Sequence, residues 1–290
     1  MSIYQPSPIK RARASKAELE SRKNALFDIV CEIQPCTVRQ AFYQAEIAGV
    51  VEKTEAGYDK VQRALADMRR AGTLPYGWIA DNTRWQRRPI TYGNPAEAIG
   101  EVARFYRKDL WRDADVYVEI WLEKDALSGV IYPATSQYDV PLMVARGYSS
   151  LSFLHGSAEY IAALDVPAYV YHLGDFDPSG VNAAETIETT LRELAPCAEI
   201  HFERIAVLPE QILAWDLPTR PTKATDTRAK RFGYTESVEL DAIHPDTLRD
   251  LVAGVIEKHL PPERYALLQV AEASERKFLE QWASVAKGAA

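Results

Sequence analysis

The sequence has few of the residues that build disulfide frameworks and metal-thiolate sites. Its 290 residues include three cysteines and five histidines. Cys31 and Cys36 are five positions apart and Cys197 is far from both, which matches neither a paired Cys-x-x-Cys zinc motif nor a disulfide framework. The histidines suggest no shared site, and His172 lies inside an apolar run typical of a core strand, where we expect a buried histidine with its hydrogen bonds satisfied. We therefore expect a protein of a reducing compartment, the cytoplasm.

Long apolar runs and nucleotide-binding loops are also missing. No run approaches the roughly 20 apolar residues of a membrane-spanning helix. Residues 1–16 are polar and basic, without the apolar core of a signal peptide. The sequence contains no Gly-x-x-x-x-Gly-Lys-Ser/Thr loop, and we identify no other ATP site. These absences argue against a membrane protein, a secreted protein and an ATPase.

Charge is distributed unevenly along the chain. The net charge is −7, yet residues 1–112 hold 19 of the 34 Lys and Arg and 13 of the 41 Asp and Glu, a net of +6. Residues 113–290 hold the remaining 15 and 28, a net of −13. Unless the clustering is accidental, this asymmetry predicts a basic binding module joined to an acidic one, and an acidic module suits a divalent cation.

The basic part has the pattern of a winged helix. After a flexible basic arm at residues 1–16, apolar residues at helical spacing predict helices at about 16–33, 38–48 and 58–71. Two short aromatic runs within residues 73–85 then predict a hairpin. Three short helices and a hairpin in this order are typical of a winged helix, which we assign to residues 17–95.

In a winged helix, the third helix enters the major groove of DNA. Basic residues on that helix and along the predicted wing would neutralise phosphates and make binding depend on salt. A solvated charged helix face is the alternative. The candidate DNA-binding residues here are Arg63, Arg69, Arg70, Arg84, Arg87 and Arg88.

Residues 96–290 alternate between strand and helix patterns. Alternation of this kind indicates an α/β domain with a mostly parallel sheet. The predicted strands are Val116–Leu122, Leu142–Ala145, Ala168–Leu173 and Ile200–Val207. The predicted helices are Ala96–Lys108, Ala158–Leu164, Val181–Leu194, Pro245–Lys258 and Ala266–Ala286.

An Asp-x-Asp motif follows the third of these strands. In Gly174-Asp175-Phe176-Asp177-Pro178-Ser179-Gly180, the two acids share strand parity, so both carboxylates can point the same way. Pro178 and Ser179 suit the first turn of a helix. Open α/β sheets bind ligands outside the carboxyl ends of their strands. A helix-capping Asp beside a turn Asp is the simpler interpretation of this motif.

A third acid ends the first strand. Glu123, in Leu122-Glu123-Lys124-Asp125-Ala126, lies where that strand enters its helix. On a neighbouring strand it would join Asp175 and Asp177, and three carboxylates suit Mg²⁺. Glu119 has the same parity and is the competing choice, although it lies deeper in the strand and would need a partner.

This Glu and the later Asp-x-Asp resemble the Toprim domain of topoisomerases and primases. The two motifs look most like the version in the A subunit of topoisomerase VI and its meiotic double-strand-break relatives. In that family the Toprim domain follows a winged helix that carries the nucleophilic tyrosine. Thr37-Val38-Arg39-Gln40-Ala41-Phe42-Tyr43-Gln44 is similar to that motif, with Tyr43 matching the nucleophile and Arg39 the preceding arginine. Phe42 replaces a common tyrosine.

The spacing of the tyrosine motif suits its chemistry. Arg39 and Tyr43 are four residues apart and share a helix face. A guanidinium there can bind the scissile phosphate and favour the phenolate. A tyrosine nucleophile forms a covalent intermediate.

The resemblance implies a Mg²⁺- or Mn²⁺-dependent DNA transesterase. The product would be a 5′-phosphotyrosyl link, formed by a homodimer on duplex DNA in which Tyr43 of one copy meets the metal site of the other. The chain is similar to the compact, freestanding A-subunit-like proteins of bacteria and their viruses. The segment that docks an ATPase B subunit in larger members is short here, which leaves that partner open.

Three interpretations of the sequence remain open beside this one. A hydrolytic Toprim nuclease would use water as nucleophile, with Tyr43 only positioning DNA. A DNA-binding regulator would bind without cutting. A basic loop at residues 220–231 either contacts DNA through Lys223, Lys230 and Arg231 or is simply solvated.

Overall fold

The computed structural model describes residues 15–80, 89–147, 149–222 and 227–288. The chain forms two compact units that divide between Ile79 and Ala80. Most of the basic arm lies outside the described residues, as do Arg84, Arg87, Arg88 and Lys223. Over the ranges that are described, the helices are too short or too polar to cross a bilayer.

The first unit contains the three predicted helices. They are α1 (Lys16–Ile33), α2 (Val38–Ile47) and α3 (Glu55–Arg70). Each begins at a hydroxyl cap, because Ser15, Thr37 and Thr54 each accept a backbone N–H three residues on. The Thr54 cap also explains why α3 starts at Glu55, ahead of its first large apolar residue. The buried faces of the helices meet in a core that includes Leu26, Val30, Ala41, Val61 and Leu65.

The prediction that the first arm of the hairpin is a strand is wrong. Residues Tyr76–Trp78 form a 3₁₀ turn, and the only strand-like pairing recorded for the described part of this segment is a single bridge between Ile79 and Cys36. Pro75 supplies the reason, since it fixes its own φ and has no N–H for a ladder. The predicted second arm is largely outside the described residues.

The second unit is built on the predicted parallel sheet. Its strands are β1 (Tyr117–Leu122), β2 (Leu142–Val144), β3 (Ala168–Leu173) and β4 (Ile200–Ala206). They lie in the order β2-β1-β3-β4, and every neighbouring pair is parallel. The mixed α/β class and the parallel sheet are thus confirmed. A separate antiparallel pair joins β5 (Arg220–Pro221) to β6 (Glu236–Ser237).

The second unit also contains most of the helices of the described chain. In chain order they are α4 (Pro95–Phe105), α5 (Ser128–Gln137), α6 (Leu151–Ala162), α7 (Pro178–Leu194), α8 (Pro209–Ala214), α9 (Ala229–Phe232), α10 (Pro245–Glu257) and α11 (Pro262–Gly288). Leu154, Ile161 and Ile187 from α6 and α7 pack with Trp121 and Val170 in one core. On the other face, α5 packs against α10, and Tyr171 of β3 bonds His259 beyond α10 at 2.7 Å.

Candidate active site

The candidate site lies where the strand order of the sheet reverses. From β1 the chain moves to β2 on one side and then to β3 on the other, so β1 and β3 flank the switch point. Leu122 and Leu173 are in register at the ends of these strands, and the Glu123 N–H donates to the Leu173 carbonyl at 2.9 Å. Ligands of open α/β sheets bind in the crevice at this point. Glu123 and Asp175 are the first acids beyond the two strands.

The two aspartates of the motif have different roles. Asp177 is the N-cap of α7, since its Oδ1 accepts from Ser179 N at 3.0 Å and Gly180 N at 2.8 Å. The capping interpretation therefore applies to one oxygen of Asp177, while its Oδ2 is 3.5 Å from Arg220. Asp175 does not cap a helix; its Oδ1 accepts from Leu240 N at 2.8 Å.

Glu123 is hydrogen-bonded to the turn that contains Asp175 and Asp177. Its Oε2 accepts the backbone N–H of Asp175 at 3.0 Å. Glu119, the competing choice, is 1% exposed and lies on the α6 face of β1. There it accepts from Trp121 Nε1 at 2.7 Å, Tyr117 Oη at 2.9 Å and Ser157 Oγ at 2.9 Å. Glu119 therefore has its required partners inside the core, and Glu123 is the acid at the edge.

Two glycines make room for Glu123. A Cβ on Gly174 would lie 2.5 Å from Glu123 Oε2, and one on Gly180 would lie 2.9 Å from the same atom and would collide with the Asp175 carbonyl oxygen. The contact at Gly180 cannot be accommodated without moving the turn, because the Asp175 carbonyl is backbone, whereas a Cβ at Gly174 would displace the side chains of Glu123 and His172. The Gly-x-x-x-x-x-Gly spacing of the motif thus follows from close packing of the turn on Glu123.

We expect Gly180→Ala to destabilise the protein by about 1–3 kcal/mol, the usual cost of overpacking. Gly254→Ala in α10 is the matched control, because nothing lies within 4 Å of its Cβ position. That change should stabilise by up to about 1 kcal/mol through helix propensity. Urea unfolding of both variants measures the difference, and equal effects would contradict the packing explanation.

Two further acids, which the sequence interpretation missed, reach this edge. Lys124 Nζ lies 3.0 Å from Asp175 Oδ1, 2.6 Å from Asp241 Oδ2 and 3.4 Å from Glu239 Oε2. Glu239 and Asp241 are both buried. One feature of the sequence could have revealed these two acids. They form a second acid-x-acid pair within an apolar run, Val238-Glu239-Leu240-Asp241-Ala242.

Two arginines complete the cluster. Arg204 of β4 donates to the carbonyl oxygens of Gly174 at 2.8 Å and Gly180 at 3.1 Å, and also to that of Asp175. Arg220 of β5 bridges Asp177 Oδ2 at 3.5 Å and Glu239 Oε1 at 3.1 Å. Arg204 fixes the backbone of the turn, and Arg220 links it to the segment after β6.

The surroundings of Glu123 and Asp175 raise the pKa values of both carboxyl groups. Burial and the neighbouring Asp175 raise the pKa of Glu123 to about 7. Burial also raises the pKa of Asp175, against the opposing effect of Lys124. For Lys124, burial alone would lower the pKa, but Asp241, Asp175 and Glu239 outweigh it and raise the pKa above its ordinary value.

The raised pKa of Glu123 predicts a pH dependence of stability. Between pH 4.5, the ordinary value, and about 7, the folded protein keeps a proton that the unfolded chain has lost. Stability contributed by this group therefore falls as the pH rises through that window. Glu123→Gln cannot titrate, so it should gain stability relative to wild type from pH 4.5 to 7 in EDTA. Urea unfolding measures this, and a constant difference between the two proteins would contradict it.

The donor chemistry of this edge fits a hard divalent cation, since carboxylate oxygens are the preferred ligands of Mg²⁺ and Mn²⁺. A cation would also relieve the repulsion between Glu123 and Asp175. In the described ranges, however, no three Asp, Glu, His or Cys side chains are arranged so that they could hold a metal ion. A bound cation would compete with Lys124 for Asp175 and with Arg220 for Asp177.

His172 lies in β3, the strand that leads into the turn, and is fully buried, as predicted. Among the described residues neither of its ring nitrogens has a hydrogen-bond partner, so it is not the satisfied core histidine that we expected. Burial and Arg204 lower its pKa to about 3, which keeps the imidazole neutral.

The tyrosine motif lies in the first unit. Arg39 and Tyr43 are one turn apart on α2. Tyr43 is only 8% exposed and packs against Phe42 with ring centroids 5.5 Å apart, while Lys53 Nζ lies 5.8 Å from the Tyr43 ring. The Arg39 guanidinium lies 5.7 Å from the Tyr58 ring. The ring of Tyr43 is therefore held firmly within this unit.

The described candidates for DNA binding are distributed over both units. On α3, Arg63 and Arg70 are exposed, and Arg69 lies 5.8 Å from the Tyr76 ring. On α9, Lys230 is exposed and Arg231 lies 3.0 Å from Glu185. Arg63, Arg70, Lys230 and Arg231 are therefore at the surface, where phosphates could reach them, whereas Arg69 is half-buried.

Neither a scan against protein-family models nor a search of curated proteins finds a match to this chain.

Proposed function

We propose that the protein is a divalent-metal-dependent DNA transesterase, with a winged-helix unit that carries Tyr43 and a Toprim unit that carries Glu123, Asp175 and Asp177. The observation that carries the proposal is the meeting of Glu123 and Asp175 at the switch point of the parallel sheet. Buried acids are costly unless they are paired or serve a bound cation, and acids with raised pKa values in a crevice are typical of functional sites.

The residues of this chain divide the chemistry between them. The Tyr43 oxygen attacks the scissile phosphorus and loses its proton, and the bond from phosphorus to the 3′ oxygen breaks. The 3′ oxygen then takes up a proton, which leaves a 3′-hydroxyl and a 5′-phosphotyrosyl link. Arg39 binds the phosphate oxygens. Glu123, Asp175 and Asp177 would hold Mg²⁺ or Mn²⁺, which when bound stabilises negative charge at the phosphate.

Duplex DNA and a second copy of the chain are the proposed partners. The exposed Arg63 and Arg70 of α3 support phosphate contacts by the first unit. Two copies related by a two-fold axis would match the symmetry of the duplex, with Tyr43 of one copy acting at the acidic edge of the other.

The burial of Tyr43 favours a second candidate, a hydrolytic nuclease. A tyrosine that is 8% exposed packs like a core residue, and in a hydrolytic enzyme it need not reach the phosphate. Water would then attack at the same acidic edge. A regulator that binds without cutting is the third candidate, favoured by the pairing of Lys124 and Arg220 with the acids.

Supercoiled plasmid incubated with the protein and Mg²⁺ or Mn²⁺ tests the three candidates. The reaction is stopped with detergent and analysed with and without protease. A transesterase gives nicked or linear DNA whose mobility shifts only after protease treatment. Cut DNA with no protease-dependent shift supports the nuclease. Uncut DNA, together with retardation of the same plasmid in a detergent-free gel, supports the regulator.

A further inference from the structure

Three aromatic rings form a cluster beside the acidic turn. Phe176, the residue between the two aspartates, contacts Phe232 and Tyr234 with ring centroids 4.9 Å away in both cases, and those two rings are 5.2 Å apart. Phe176 is 6% exposed and exchanges two backbone hydrogen bonds with Val238, at 2.8 and 2.9 Å. Tyr234 is 51% exposed. The cluster therefore has a fixed base and one ring that faces solvent.

An open cavity of about 290 Å³ lies over this cluster. Its lining combines the three aromatic rings with Pro178, Val181, Asn182 and Glu185 and with two arginines, Arg228 and Arg231. The Arg231 side chain reaches outward, and its guanidinium lies 3.0 Å from Glu185. A volume at the small end of ligand pockets suits one planar group rather than an extended molecule.

Tyr234 also lines a second cavity, of about 210 Å³, together with Pro209, Ile212 and Leu213. Leu213 is largely exposed. A tyrosine that contributes to two cavities has more ring surface available than a core residue would keep. The hydroxyl tip and the aromatic body together suit a surface that is wet at one end and apolar at the other.

We propose that the cavity over Phe176, Phe232 and Tyr234 receives a nucleobase of the DNA strand bound at the acidic edge. This inference rests on the proposed function and adds a base-contacting site to it. Stacking on aromatic rings is tolerant of sequence because every base has a π-face, and arginines beside the rings can contact the flanking phosphates. Phe176 lies between Asp175 and Asp177 in the chain, so the stacked base would belong to a nucleotide near the phosphate that a cation at these carboxylates binds.

Fluorescence measurements on the Tyr43→Phe protein, which should not cleave, test this site. The probes are 20-residue thymidine oligonucleotides carrying one 2-aminopurine, in Ca²⁺. Stacking quenches 2-aminopurine, so binding should quench the signal. Tyr234→Leu, which keeps apolar packing, should lose the quenching and weaken binding by about 5- to 150-fold, the equivalent of roughly 1–3 kcal/mol of stacking.

Two matched variants complete the test. Tyr234→Phe retains the ring and should retain both quenching and affinity. Tyr132→Leu alters a similarly exposed tyrosine on α5 and should also change neither. Far-ultraviolet circular dichroism and thermal melting verify that each variant is folded.

The outcomes separate this inference from the proposed function. If the parent protein binds and wild type cleaves DNA while Tyr234→Leu behaves like Tyr132→Leu, the base site is wrong and the proposed function stands. If the parent protein binds no oligonucleotide, the base site is overturned, and the plasmid assay alone decides the proposed function. Loss of quenching in Tyr234→Leu with retention in Tyr234→Phe supports the base site even if the plasmid assay shows a nuclease.

Discussion

Tyr43→Phe should abolish the covalent protein–DNA adduct while the first unit remains folded. The ring packs against Phe42 and is almost fully buried, and phenylalanine preserves that packing. The change removes only the hydroxyl oxygen, at a cost to stability of about 1 kcal/mol if a hydrogen bond is lost with it. Because the nucleophile is gone, adduct formation should fall by roughly 10³-fold or more.

The adduct is measured as DNA retained with protein after detergent treatment, using end-labelled DNA. Tyr58→Phe is the matched control, since its ring meets Phe42 edge-on at 5.5 Å and lies under Arg39. It should leave adduct formation within a few-fold of wild type. Cleavage that persists in Tyr43→Phe would rule out the transesterase and leave hydrolysis as the chemistry.

Local sequence patterns were sufficient to predict most of the elements of the second unit. β3 was predicted at both ends because Pro167 and Gly174 bound a continuous apolar run. The helix that we expected at Ala158 begins instead at Leu151, where Ser150 caps the N–H of Phe153. The missed turns carry Leu151 and Phe153 toward solvent, so their apolar residues do not follow the pattern of a buried face.

Only the part of the candidate site that follows directly from the ends of the strands could be predicted from the sequence. Glu123 and Asp175 follow adjacent strands, and the geometry of a parallel sheet brings such residues together. Two of the partners of Lys124, Glu239 and Asp241, lie 115 and 117 positions further along the chain, in a segment with no strong periodicity. The position of these acids at the site depends on the path of the chain through β5 and β6, which local patterns do not specify. The sequence also places Arg204 on β4, but it does not predict the backbone carbonyl groups to which Arg204 donates.

Lys124→Met should destabilise the second unit strongly and make its stability depend on divalent cations. The lysine side chain is 20% exposed and lies within 3.4 Å of Asp175, Glu239 and Asp241. Methionine fills a similar volume but leaves three carboxylates without their shared cation. Removing one partner of a buried ion pair typically costs about 3–5 kcal/mol.

Mg²⁺ distinguishes this effect from simple loss of packing. With Lys124 absent, Asp175 is released for a metal ion, so millimolar Mg²⁺ should restore more stability to Lys124→Met than it adds to wild type. Lys108→Met is the matched control: its ammonium lies 2.6 Å from Glu275, but the side chain is more exposed and contacts the edge of the α4–α11 pair. That change should destabilise the protein far less than Lys124→Met does and should respond no differently to Mg²⁺ than wild type.

Urea unfolding in EDTA and in Mg²⁺ measures all three proteins. Equal responses of wild type and Lys124→Met to Mg²⁺ would show that no cation takes the place of the lysine, and the three acids would then be a structural ion cluster. A selective response would place the cation-binding oxygens at the switch point itself. It would also show that Lys124 holds the acidic edge together until a metal ion arrives, which explains how five acids can be gathered there in a folded protein.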